Sequence, residues 1–175
     1  MKTKALERYL NSFGKQIVKQ AKENLSAADK KGALSNSIDF FVIRKGGSIT
    51  VRFKINSYGA FVDKGVSGTD KKRSFKDYKG KTKPSPFKYT TKQPPSGIIE
   101  KWIKRKGLKG RDKKGRFITH KSLSFLIARS IKKKGIQGIS FFQKPLMLGM
   151  KQFSSKFGKA IADDIVNSLR QQKIA

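Results

Sequence analysis

The sequence predicts an α+β fold: a small antiparallel sheet with a β-hairpin core, packed against N-terminal and long C-terminal helices, with long basic loops. Three observations predict it. Apolar residues recur every three or four positions near both ends of the chain, and a strictly alternating run lies around residue 50. Strands and helices do not interleave in the βαβ order that builds a parallel sheet.

Taken in order, Leu6, Leu10, Phe13, Ile17, Ala21 and Leu25 form the stripe of an amphipathic helix from Lys4 to about Leu25, with Lys15, Lys19, Lys22 and Glu23 mostly off it. Ser26 to Asn36 reads as a connector centred on Gly32. Ser37–Arg44 and Ile49–Ile55 read as paired strands. In the second, Ile49, Val51, Phe53 and Ile55 face one way and Thr50, Arg52 and Lys54 the other, and Gly46-Gly47 supplies the positive φ of a tight turn. Residues 66–95 hold no helical or strand period and read as a long basic loop.

Pro95-Ser96 opens a short helix with the stripe Ile98, Ile99, Trp102 and Ile103. Lys104-Arg105-Lys106 complements its C-terminal dipole, and Gly107-Leu108 is its cap. Residues 107–121 read as a second basic loop, with Gly115–Ile118 a short extended piece. Ser122 is the expected cap of a helix reaching about Lys134 and burying Leu123, Leu126, Ile127 and Ile131. Pro145 suits the first turn of a long last helix striped by Leu146, Met150, Phe153, Phe157, Ile161, Ile165 and Leu169. All of this reads as one domain over 1–175.

Composition narrows the function. The net charge is +31, from 42 Lys and Arg against 11 Asp and Glu, but Leu, Ile, Val and Phe make up 45 of 175 residues. That share exceeds the ~20% below which a charged chain is expected to stay unfolded. The charge is 33 Lys against 9 Arg, and residues 59–122 alone carry +15. Lysine is a flexible point charge, so the balance favours diffuse attraction to anionic partners over reading of base edges. With no cysteine there is no disulfide scaffold, thiol catalysis or Cys-based zinc site, and a single His120 reads as a surface or capping residue. No run of ~18 apolar residues and no apolar stretch near the N-terminus occurs, so a soluble, cytosolic product is expected.

Catalytic constellations are not found. Asp163 and Asp164 are adjacent on the last helix, about 100° apart, and read as part of a solvated face. Asp63 and Asp39 could meet only if the fold brought them together, a metal nuclease would use Asp63 with Asp163 or Asp164, and no H-E-x-x-H, G-x-S-x-G or P-loop spacing occurs. The expectation is a non-enzyme with no cofactor and no metal. Contacts to a partner protein or to DNA are expected from the basic loops: Lys71, Lys72, Arg73, Phe75, Lys76, Tyr78, Lys79, Phe87, Tyr89, Lys113, Lys114 and Arg116. The aromatics among them have three readings: stacking on bases, anchoring on a neighbouring protein, or pinning the loop to its own core.

Two blocks carry a family resemblance. One is Gly32, Leu34, Ser37 and Ile38 before the hairpin; the other is Tyr58, Phe61, Val62, Asp63 and Gly65 after it, with Gly68-Thr69 beyond. Phe141, Phe142 and Pro145 then open the last helix, and Phe125–Ile131 with Gly135-Ile136 extends the likeness. In this order the chain resembles the tail-completion or neck proteins of tailed bacteriophages. Gly59 and Asp63 stand where Ala and Glu are common in that pattern, and the Gly-Thr is interrupted as Gly65-Val-Ser-Gly68-Thr69. The resemblance implies a structural virion protein at the head–tail junction, assembled in the bacterial host cytoplasm. It implies a homo-oligomeric ring of six or twelve copies touching portal or connector and tail proteins, with possible non-specific contact to channel DNA and no membrane. The alternative is a basic nucleic-acid-binding module, for DNA packaging or ribosome association.

Overall fold

The computed structural model describes residues 3–30 and 32–172. In chain order the elements are α1 (Lys4–Ala27), α2 (Ala33–Asn36), β1 (Asp39–Lys45), β2 (Ser48–Lys54), α3 (Gly59–Lys64), β3 (Ser74–Lys76), β4 (Thr82–Pro84), α4 (Ser96–Lys106), β5 (Gly110–Arg111), β6 (Phe117–Ile118), α5 (His120–Lys134) and α6 (Gln143–Gln172). The fold is α+β, with N-terminal and long C-terminal helices and small antiparallel two-stranded sheets. Where the sequence reads as one domain, contacts gather the chain into two compact units. The first holds 1–63, 76–82 and 139–175; the second holds 64–75 and 83–138.

The first unit is built on α1. Its stripe is buried as expected, and Gly149 of α6 lies where a Cβ would stand 2.9 Å from Phe13 and Ile17, so the two helices approach closely. Around this contact the Phe13 and Phe153 rings meet edge-on at 5.1 Å, and Phe157 stacks on Phe153 at 5.3 Å. Such pairs add about 0.5–1.5 kcal/mol beyond their buried area. β1 and β2 pair antiparallel from Asp39↔Lys54 to Lys45↔Ser48, and Gly46 and Gly47 both have positive φ, the type I′ geometry that two glycines predict. A second cluster joins Ala21, Leu25, Leu34, Ile38 and the fully buried Phe141.

The last helix departs from its predicted stripe. Phe153, Phe157 and Ile161 are half-buried, but Met150, Ile165 and Leu169 are exposed, Leu169 at 57%. Ala160 and Asp164, one turn apart, take the buried face instead.

In the second unit α4 packs on α5 through Ile99, Ile103 and Ala128, with Leu123, Ile127 and Ile131 around them. Gly107 caps α4 in the left-handed conformation (φ 65°), and the Leu108 N–H returns to the Ile103 carbonyl. Two expectations need correction. The cap of α5 is Thr119, whose hydroxyl accepts from the Ser122 N–H, so the helix starts two residues before Ser122. Leu126 is half-exposed and Ile98 68% exposed, because the α4–α5 contact is narrow and closes over one side of each stripe.

Among the described residues, no helix is long and apolar enough to cross a membrane.

Candidate interaction surfaces

Most of the two resemblance blocks folds into the framework of the first unit, while Gly65, Gly68 and Thr69 belong to the second. Gly32 enters α2 at φ 105°, Leu34 and Ile38 are buried, and the Ser37 hydroxyl donates to the Leu34 carbonyl while accepting from the Asn56 N–H. Tyr58, Gly59, Phe61, Val62 and Asp63 form or flank α3. Gly59 is buried against Ile55, Leu34 and Phe141, where a larger side chain would collide, and Tyr58 and Phe61 stay exposed.

Asp63 is 4% exposed and faces the start of α6. Its Oδ1 accepts from the Phe142 N–H at 2.9 Å and the Gln143 N–H at 3.4 Å, and its carbonyl accepts from the Ser140 N–H at 2.9 Å. A carboxylate is favoured there by two unsatisfied donors and by the helix dipole.

Asp164 plays the matching part at α1. Its two carboxylate oxygens accept from the Ala5 and Leu6 N–H groups at 2.8 and 2.9 Å, and it is buried. The expectation that Asp163 and Asp164 share a solvated face therefore holds only for Asp163, which is exposed. Asp63 and Asp164, the carboxylates of the nuclease-like combination, each hold a helix N-terminus. Among the described residues no group of three or more His, Cys, Asp or Glu could hold a metal ion.

No family model, curated protein or solved structure matches this chain. The resemblance to phage neck proteins therefore rests on its motifs alone.

The loop read over 66–95 has backbone order that its sequence does not signal. Ser67 bridges Lys88 in parallel, and its hydroxyl accepts from the Arg73 N–H; Val66 bridges Ile136 antiparallel. Ser85 donates through its hydroxyl to the Gly65 carbonyl, and β3 pairs with β4. Gly65 (φ 74°) would place a Cβ 2.5 Å from the Gly138 nitrogen, so the backbone itself is packed at this point.

These contacts sort the predicted partner residues. Arg73 is a clip: its Nε donates to the Lys134 carbonyl at 2.9 Å and a terminal nitrogen donates to Gln137 Oε1 at 3.1 Å. Phe75 is half-buried with the Lys64 ammonium 5.6 Å from its ring. Phe87 and Tyr89 are also half-buried, and burial pushes the Tyr89 hydroxyl above its ordinary value of 10.0. These three rings are thus partly covered within the fold. Tyr78 is the exposed aromatic of the set, beside Lys79 at 5.7 Å. Lys71, Lys72, Lys76 and Lys79 face solvent, as does Thr69, whose hydroxyl donates to Asp70.

The second loop, 107–121, is a formed hairpin, β5–β6, paired Gly110↔Ile118 and Arg111↔Phe117. Asp112 organises its tip. Its Oδ1 accepts from the Lys114 and Arg116 N–H groups at 2.8 and 2.9 Å, and its Oδ2 from Arg116 Nε at 3.0 Å. These donors, the Arg116 N–H foremost, hold its carboxyl below the ordinary value of 3.8. Lys113, Lys114 and Arg116 are exposed.

Proposed function

We propose that this chain is a structural virion protein of a tailed bacteriophage, sited at the neck, where copies form a ring that joins or completes the head–tail junction. One observation carries the reading. Two of the stretches behind the resemblance, Tyr58–Gly65 and Phe141–Pro145, meet through the Asp63 carboxylate at the start of α6, so the motif has a structural task. Asp63 ties the end of α3 to the start of α6.

Self-association has surfaces available to it. Ile165, Val166 and Leu169 leave an apolar row on the outer side of α6, and within the described residues β1 and β2 pair only with each other, leaving both outer edges open. Head-to-tail contact between two such unlike surfaces builds a ring when its rotation closes.

Native mass measurement of the full chain, with immunodetection in purified particles, tests the proposal. A large discrete oligomer present in particles is the expected result. A protein that is strictly monomeric and missing from particles overturns it. Val166→Asp combined with Leu169→Asp is expected to reduce the oligomer to monomer while the helical circular dichroism signal is retained.

A further inference from the structure

The positive charge is divided unequally. The second unit has 68 residues with 21 Lys and Arg against 3 Asp and Glu, net +18, whereas the 107 residues of the first unit carry net +13. Within the second unit, ten of the basic residues fall between Lys101 and Lys121, against one acid, Asp112. All ten are exposed. The last turn of α4 contributes Lys104, Arg105 and Lys106, and the β5–β6 hairpin projects Lys113 and Lys114 at its tip.

The hairpin is braced from three sides. Asp112 ties its turn, the Arg111 guanidinium donates to the Gly115 carbonyl at 2.9 Å, and Gly110 lies so close to Leu123 of α5 that a Cβ would stand 2.9 Å from it. Self-repulsion among so many cations makes a rigid arrangement costly unless an anion relieves it.

We propose that the β5–β6 hairpin, with the last turn of α4, binds the phosphate backbone of double-stranded DNA without reading its sequence. A two-stranded ribbon with its side chains is about 10 Å across and fits the ~12 Å major groove of B-form DNA, whereas the A-form groove is too narrow to admit it. Its arginines are already engaged: Arg116 with Asp112, and Arg111 with Gly115 and with the Phe117 ring 4.1 Å away. Each hairpin guanidinium is thus held by a partner within the hairpin, and the lysines at the tip carry charge without base selectivity. Phe117 is 62% exposed, but Arg111 and Lys109 both sit against its ring, so it is no open stacking platform for single-stranded bases. The site lies within one unit of one chain and needs no ring, so it stands or falls separately from the neck proposal.

Fluorescence anisotropy of the full chain with a labelled random-sequence DNA duplex, between roughly 50 and 300 mM salt, is the test. The wild type is expected to bind with a steep salt slope and no sequence preference. Lys113→Glu with Lys114→Glu is expected to lose at least about tenfold in affinity and to lower the slope by about two, near 0.9 per phosphate released. Lys71→Glu with Lys72→Glu makes the same charge change elsewhere in the unit and is expected to lose less than about threefold. The neutral pair Lys113→Gln, Lys114→Gln, with its melting curve, separates lost binding from lost folding. Equal losses from the hairpin pair and the 71/72 pair overturn the site. Absence of duplex binding, tighter binding to single strands or to double-stranded RNA, or equal competition by polyglutamate each overturns the ligand.

Discussion

The Asp164 carboxylate accepts the backbone N–H of Leu6 at 2.9 Å across 158 positions of sequence, so the last helix caps the first. With Asp63 at the start of α6, two buried carboxylates supply the N-terminal caps that neighbouring residues do not. Thr3, the residue before α1, makes no side-chain cap of its own.

Removing the Asp164 carboxylate leaves two donors of α1, one buried and one part-buried, without partners. Asp164→Ala is expected to destabilise the protein by about 2–3 kcal/mol, a large part of a typical total of about 5–15. Asp163→Ala, on the exposed side of the same helix, is expected to stay within about 0.5 kcal/mol. Urea unfolding curves of both variants check the contrast, and equal effects would contradict the capping role.

Asp63→Ala is expected to cost about 1–3 kcal/mol and to speed amide exchange at Phe142 and Gln143, while Asp63→Asn keeps an acceptor oxygen and recovers most of the loss. Exchange measured residue by residue reads this directly. Unchanged protection in the alanine variant would mean that the cap is idle.

Glycines at close backbone approaches should behave differently from glycines in open space. Gly68→Ala would drive its methyl into the Lys133 carbonyl, and a loss of at least about 2 kcal/mol is expected. Gly158 lies within α6 with no atom near its would-be Cβ, so Gly158→Ala is expected to stabilise by about 0.5–1 kcal/mol. Thermal melts of the two variants should move in opposite directions.

The β5–β6 tip should respond to acid with a definite sign. Asp112 has a lowered pKa in the folded state, so its stabilisation of the turn is fully present above its ordinary value of 3.8 and is lost as pH falls through the folded value. The amide shifts of Lys114 and Arg116 are expected to stay flat from neutral pH downward and to move with a midpoint below 3.8. A midpoint at or above 3.8 would show that the carboxylate is not held by those donors.

Much of the fold is legible because it depends on local rules. Period reveals α1, α4 and α6, the glycine pair fixes the turn between β1 and β2, and Gly107 ends α4 where a left-handed residue is needed. The basic hairpin is partly legible as an extended piece before α5. Its tip is harder to foresee because Asp112 closes it through hydrogen bonds to backbone, which leave no hydrophobic period. The same holds for residues 66–95, stitched by Ser67 and Ser85 to main-chain atoms that any residue would present.

By itself the sequence determined the helices, the first hairpin, the excess of lysine and the motif order behind the neck-protein resemblance, since each depends on neighbours within a few positions. Only the tertiary structure decided what Asp63 and Asp164 do, because their partners lie 79 and 158 residues away and a carboxylate looks the same in sequence whether it meets water or a helix end. It also decided which side of each apolar stripe is covered, leaving Ile98, Leu126 and Leu169 exposed, and gathered most of the charge into the smaller unit. Burial depends on what packs against a helix, and that partner is chosen by the fold as a whole.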